Sequence, residues 1–411
     1  MPLDSASPLT VLVLNDFCHV QGGASKVAID EAVALAQSGA RVIFVGAVGP
    51  VCDALAAAPL ETVCLNQPEL LSAGKHPMAL LQSMWNQPAR RRITALLHGL
   101  DPARTIVHLH GYTKALSTSP MLAVRDAGFA AVCTLHDFYT ACPNGAFFDY
   151  AKQEPCTRRA LSASCIAANC DKRAYAHKLF RIVRGVAQRD VARFPTSVRD
   201  YITLSDRSAS ILRDYLPHDA KLHALGNVID AAPAPAVDAA ASSQVVFVGR
   251  LDVEKGVVLL AEAAAAIDLP VTFVGDGPLR TQIEATPGMT VTGWLPGSDV
   301  KRHLAAARCL VFPSLWYEAY GLVVAEAAAQ GVPAIVSDIS AAAERVGHGT
   351  TGWHFRSGDA QALQDALTRV RDDAAIRAAG SAAYSAFWSD PPTPAAHTAG
   401  LLAIYEAILR P

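Results

Sequence analysis

The sequence lacks any uninterrupted apolar stretch of about 18 residues, so no segment reads as a membrane-spanning helix. This holds although 51% of its 411 residues are hydrophobic, because much of that fraction is alanine. Strong charge is missing too. A formal net charge of -2 gives no electrostatic case for nucleic acid as a partner. Residues 1–8 lack the basic and apolar regions of a signal peptide, which leads us to expect a cytoplasmic protein. The G-x-G-x-x-G pattern is absent after the first expected strand, which counts against a nicotinamide enzyme. No C-x-x-C knuckle occurs among the nine cysteines. Four of them, Cys142, Cys156, Cys165 and Cys170, cluster where periodicity fails, with 13, 8 and 4 residues between them. Ordinary packing, a structural zinc and disulfide pairing all stay open for this cluster, although a reducing compartment disfavours the last.

What is present is a strand, turn and helix alternation that runs twice, and the length suits two domains of ordinary size. Residues 9–14 form a Val/Leu run suited to a strand buried on both faces. The turn Gln21-Gly22-Gly23-Ala24-Ser25 leads to a helix over 27–37. Further strands are expected at 42–46, 105–109, 131–135, 201–204 and 221–225. His108 and His110 sit in or next to a strand and read as hydrogen-bonded core residues. His136 stands at a strand's carboxyl end, where ligands collect in open α/β sheets, and reads as ligand-facing. Lys172, Arg173, Lys178, Arg181, Arg184, Arg189 and Arg193 fall on or beside one expected helix. They make either a solvated face or a contact for an anionic acceptor or a membrane surface. A Pro/Ala/Ser-rich stretch then reads as a linker.

The second half restarts at 245–248 with a glycine-bounded loop holding Arg250 and Lys255, two cations placed to converge on a diphosphate. Strands follow at 270–274, 290–292, 309–313 and 333–336, the first of them ending in Gly275-Asp276-Gly277-Pro278. The most informative stretch is 313–327. A strand runs into a loop with Glu318, and Gly321 opens a helix that contains Glu326. The N-terminus of that helix attracts a phosphate, and the two carboxylates attract hydroxyls on different parts of one ligand. A ligand with both kinds of group is a sugar nucleotide.

The ordered set Gly22-Gly23, His136, Gly249-Arg250-Leu251, Lys255-Gly256, Gly275-Asp276-Gly277-Pro278 and Glu318-x7-Glu326 resembles the retaining glycosyltransferases of family 4. The resemblance implies a GT-B fold: α/β, with two Rossmann-like doubly wound parallel-sheet domains facing across a cleft. Domains are expected at 1–230 for the acceptor and 244–389 for the donor, joined by a linker at 231–243. Residues 390–411 would form a helix crossing back to the first domain. By the same resemblance Arg250 and Lys255 bind the donor's diphosphate with Leu322 and Val323, and Glu326 holds the ribose. Glu318 contacts the donor sugar, His136 lies beside it, and Gly22, Gly23 and Gly277 let backbone approach the ligand. The usual Glu-Gly-Phe-Gly is replaced by Glu318-Ala319-Tyr320-Gly321, which sets a phenol near the sugar. The implied activity is sugar transfer from a nucleoside diphosphate sugar, UDP favoured over GDP, to a saccharide or lipid-linked acceptor in polysaccharide or glycolipid assembly. No metal or other cofactor is required, and peripheral membrane association is a further expectation. The competing readings are a sugar-nucleotide epimerase or phosphorylase of the same fold, and a non-catalytic sugar-nucleotide binding module.

Overall fold

The computed structural model describes residues 9–69 and 77–410, so the reading made for Met1–Pro8 lies outside the described residues. In chain order the first half contains β1 (Thr10–Phe17), β2 (Arg41–Val48), β3 (Glu61–Cys64), β4 (Thr105–Leu109) and β5 (Ala130–Thr134). The small hairpin β6 (Phe148–Asp149) and β7 (Glu154–Pro155) follows, then β8 (Asp200–Thr203) and β9 (Lys221–Ala224). Seven of these make one sheet in the order β3-β2-β1-β4-β5-β8-β9, with every pairing parallel. Every residue of β1 is buried, as a central strand covered by helices on both faces requires.

The second half contains β10 (Gln244–Val248), β11 (Val271–Val274), β12 (Met289–Gly293), β13 (Ala307–Phe312), β14 (Ala334–Ser337) and β15 (Gly352–Phe355). They form a second parallel sheet, β12-β11-β10-β13-β14-β15. Each order reverses once, between β1 and β4 and between β10 and β13. Such a reversal opens a crevice beyond the strands' carboxyl ends, where ligands of doubly wound sheets bind.

Residues 225–238 contain neither helix nor strand, while Ala239 and Ala240 already belong to the second lobe's apolar core. The helix Pro394–Leu409, capped by the Thr393 side chain, returns to the first lobe. Its Leu401 and Tyr405 are buried beside Val11, Ile29 and Ile106. Among the described residues no helix is long and apolar enough to cross a membrane.

The helix Tyr175–Val186 differs from the solvated basic face that its composition suggests. Lys178 is 0% exposed, whereas Val183 is 54% exposed. The Lys178 ammonium donates to the carbonyls of Cys165 and Ala168. The Arg184 guanidinium donates to the Thr113 carbonyl at 2.6 Å and lies over the Tyr139 ring. Those two cations brace the irregular 138–172 segment from beneath, so the apolar stripe Leu179, Val183 and Val186 is left facing out. Cys142, Cys156, Cys165 and Cys170 are free thiols within that segment. Cys142 bonds Asn144 and Cys156 meets Arg158, and among the described residues no three of the four bring their sulfurs within 4.8 Å of one another.

Candidate active site

Two adjoining cavities occupy the crevice. One of about 210 Å³ belongs to the first lobe and is lined by Gly22, Gly23, Lys114, His110, His136 and Asp137 among others. The other, about 380 Å³, lies between the lobes and brings Gly23 and His136 opposite Lys255, Glu318, Tyr320, Gly321, Leu322 and Val323. Gly23, Ala24, His136 and Asp137 line both, so the two spaces are continuous.

The second-lobe wall is built by two sharp turns. Gly256 caps the helix Val257–Ala265 with a left-handed φ of 67°, and a Cβ there would lie 2.0 Å from the Pro313 carbonyl oxygen. Glycine is therefore what lets the Lys255 loop press against the end of β13. Gly321 opens the helix Leu322–Gln330 at φ 79°, where a Cβ would meet the Ala342 methyl at 2.6 Å. The Val324 N–H closes the first turn onto the Gly321 carbonyl at 3.1 Å, and the Leu322 and Val323 N–H groups open the helix at the positive end of its dipole.

Lys255 and Glu318, 63 residues apart, form an ion pair on this wall. Among the described residues the hydrogen bonds to Glu318 fall on Oε1: Lys255 Nζ, Ser314 Oγ at 3.0 Å and Trp316 Nε1 at 2.7 Å. Oε2 is thereby left for a ligand. The Lys255 ammonium also lies over the Phe312 and Trp316 rings, whose faces favour a cation. Opposite, burial lowers the His136 imidazole to about 4, so it is neutral at pH 7. Desolvation pushes the neighbouring Asp137 carboxyl up to about 6.

Other residues named from the sequence take different places. The Arg250 side chain is 65% exposed and is held by Asp252 at 2.7 Å and Glu254 at 3.5 Å. Lys172 of the first lobe reaches the same two carboxylates, so Arg250 stands at the junction of the lobes without lining the cavity. Glu326 is half-buried. Burial raises its carboxyl, Lys301 and Lys26 lower it and Asp230 raises it, which puts it among charges of both lobes. A Cβ on Gly277 would meet the Leu251 backbone at 2.7 Å, a close approach of two loops. The Tyr320 ring lines the cavity, but its hydroxyl donates to the Asn227 carbonyl at 2.9 Å and Arg345 lies 3.7 Å over its face.

Sequence reasoning passed over three supports of the site. Ser314 and Trp316 fix Glu318. Asp16, the penultimate residue of β1, accepts backbone N–H bonds from Lys114, Ala115 and Leu116 at 2.8–2.9 Å, which shapes the loop after β4. A carboxylate at the carboxyl end of a central strand was the available signal for Asp16.

Paired doubly wound lobes with a helix N-terminus, an ion pair and a histidine meeting in the crevice constitute the GT-B architecture of glycosyltransferases. The chain superposes on HepE of Anabaena, solved with UDP and glucose, at a TM-score of 0.64, with 17% identity, 97% of this chain and 100% of that one covered. It also superposes on sucrose-phosphate synthase of Thermosynechococcus elongatus at 0.66, with 17% identity, 97% and 99% covered. Residues 242–373, which span most of the second lobe, match the model described as glycosyl transferases group 1. A Bacillus subtilis protein named for a glycosyltransferase role in teichuronic acid biosynthesis, TuaC, is 27% identical over 71% of this chain and 68% of its own length. The Escherichia coli UDP-Gal:alpha-D-GlcNAc-diphosphoundecaprenol alpha-1,3-galactosyltransferase is 32% identical, but over only 31% of this chain and 36% of its own length.

Proposed function

We propose that this chain is a retaining transferase of glycosyltransferase family 4. It moves a sugar from a nucleoside diphosphate sugar, UDP being the favoured carrier, to a hydroxyl of a saccharide or lipid-linked saccharide. The observation that carries the reading is the convergence of Lys255, Glu318 and the N-terminus of the helix Leu322–Gln330 on one cavity faced by His136. Breaking the anomeric C–O bond leaves negative charge on the departing diphosphate. The Lys255 ammonium and the Leu322 and Val323 N–H groups stabilise that charge as it develops, which lowers the barrier more than it tightens substrate binding. Glu318 Oε2 accepts from hydroxyls of the donor sugar, Glu326 from the ribose. Gly22 and Gly23 leave room for the acceptor side, and the departing phosphate takes the acceptor's proton. The reading asks for no metal, because fixed positive charge already faces the leaving group. For Arg250 to join it, its guanidinium leaves Asp252 and Glu254, and Lys172 remains to neutralise them.

UDP is favoured because relatives of this fold hold it, HepE with UDP-glucose among them. For a lipid-linked acceptor the first lobe offers the outward stripe Leu179, Val183 and Val186, with Val191 beyond it and exposed Arg173, His177 and Arg193 nearby. Apolar side chains beside cations suit an anionic bilayer surface.

A thermal-shift panel of UDP, GDP and ADP with their sugar esters identifies the donor, since a ligand of the folded state raises the melting point by mass action. With that donor, nucleoside diphosphate is expected to appear only when a saccharide acceptor is added, and the product keeps the donor's anomeric configuration by NMR. Release that ignores the acceptor, or an inverted product, contradicts the reading.

A further inference from the structure

Behind His136 lies a line of buried polar groups that reaches the returning C-terminal helix. His136 Nε2 is 3.0 Å from His110 Nδ1. His110 Nε2 lies 3.4 Å from Glu31 Oε2, and both of these atoms are buried without a hydrogen-bond partner among the described residues. Glu31 Oε1 is 2.9 Å from His397 Nε2, and His397 Nδ1 is 2.9 Å from the Gly226 carbonyl oxygen. Glu31 and His110 are each about 95% buried, at 5% and 4% exposure.

The proton positions along this line follow from its far end. A carbonyl oxygen only accepts, so His397 Nδ1 carries a hydrogen. One further proton lies between His397 Nε2 and Glu31 Oε1, whichever atom holds it. Glu31 Oε2 is then a bare acceptor, and the His110 nitrogen facing it is the one that carries hydrogen. His110 Nδ1 is consequently bare and accepts from His136 Nε2–H. The remaining nitrogen of His136, Nδ1, is left without a proton.

We propose that His397, Glu31 and His110 are positioning residues that fix the tautomer of His136, making its Nδ1 a hydrogen-bond acceptor for a hydroxyl of the bound sugar. The identity of the ligand rests on the function proposed above, whereas the tautomer does not. The line joins the helix Pro394–Leu409 to the floor of the cleft, and the second lobe's exit into that helix thus bears on His136. Burial first, and the neighbouring histidines second, hold His110 well below the ordinary imidazole range, in keeping with a neutral relay. Glu31, His108 and His110 also bring one donor atom each within 4.8 Å of one another, the spacing of a metal site. A cation is disfavoured there because His108 already bonds the Tyr405 hydroxyl and Thr134 Oγ1, both at 2.7 Å.

The test is a long-range ¹H–¹⁵N spectrum of the full chain labelled with ¹⁵N-histidine, His136 being assigned by difference with His136→Gln. Near neutral pH His136 should show a protonated Nε2 and a bare Nδ1. His110→Asn, whose side-chain oxygen still accepts from His136, should preserve that pattern. Glu31→Gln, whose amide can donate to His397 Nε2 and turn its oxygen to His110, should preserve it as well, whereas Glu31→Leu should shift it and lower kcat/KM about 10-fold, the worth of roughly one neutral hydrogen bond. A proton on Nδ1, an imidazolium, an unchanged spectrum in Glu31→Leu, or stoichiometric zinc in the purified protein would each overturn the proposal. If Glu31→Leu does not fold, the wild-type, His110→Asn and Glu31→Gln spectra still decide, and none of them depends on turnover.

Discussion

Replacing Lys255 by alanine separates its pairing with Glu318 from the leaving-group role proposed for it. The Lys255 and Glu318 side chains are 16% and 11% exposed, so the pair is mostly but not wholly shielded. Breaking a sealed ion pair costs about 3–5 kcal/mol because a bare charge is stranded. Here Glu318 keeps the Ser314 and Trp316 donors and opens on the cavity, so we expect a stability loss of only about 1–2 kcal/mol. Transfer loses a charge partner of the leaving diphosphate, a loss of about 10²-fold or more in kcat. Adding Glu318→Gln removes the stranded carboxylate, so the double variant should recover most of the melting temperature and none of the turnover. Melting by fluorimetry and acceptor-dependent release of nucleoside diphosphate read the two effects independently. Wild-type turnover in Lys255→Ala, or its return in the double variant, would refute the leaving-group role and reduce Lys255 to a support for Glu318.

Acid should weaken the fold through its neutral histidines. Burial lowers His108 to about 3 and His136 to about 4, with His110 also well below 6.5. Below pH 6.5 the unfolded chain therefore binds protons that the folded chain refuses, and stability falls as pH falls. At pH 5.5 the three together cost up to about 4 kcal/mol. His397 opposes this. Burial works to lower its imidazole, but Glu31 and the Gly226 carbonyl outweigh it for a net rise, so its contribution is full below 6.5 and fades at higher pH. Urea midpoints that do not move between pH 7.5 and 5.5 would contradict this account. Gly256→Ala should destabilise by about 2 kcal/mol or more, from a left-handed φ and a backbone clash, seen as a lower urea midpoint with an unchanged slope. Val183→Asp with Val186→Asp should abolish flotation with anionic vesicles and leave transfer to a water-soluble acceptor intact; unaltered flotation would count against the outward stripe as the docking face.

The central strands were legible because their Val/Leu runs have no other stable home. β3 and β15 were not, since Glu61-Thr-Val-Cys64 and Gly352-Trp-His-Phe355 are short, mixed edge strands with one partner each, and pairing rather than composition defines them. Lys255 and Glu318 were both visible as ligand-seeking residues, but their mutual bond depends on how the β10 and β13 loops converge. Glu31 did leave a signal. It shares a helical face with Ala28 and Leu35, both buried, and a carboxylate on an apolar stripe implies a buried partner. The stripe Leu179, Val183 and Val186 misleads for the opposite reason: its spacing reads as core, yet Lys178 and Arg184 take the inward positions, where peptide carbonyls receive their hydrogens.

The bond from Tyr320 to the Asn227 carbonyl has a mechanical corollary. Asn227 adjoins Gly226, where the connection between the lobes begins and where a Cβ would collide with the phenol at 2.7 Å. Swinging one lobe against the other must drag this tyrosine or part it from the hinge, and Glu318 sits only two positions away. A movement of one lobe against the other would thus be geared directly to Glu318, the carboxylate to which we assign the donor sugar, through one of the two residues that set this loop apart from its usual form.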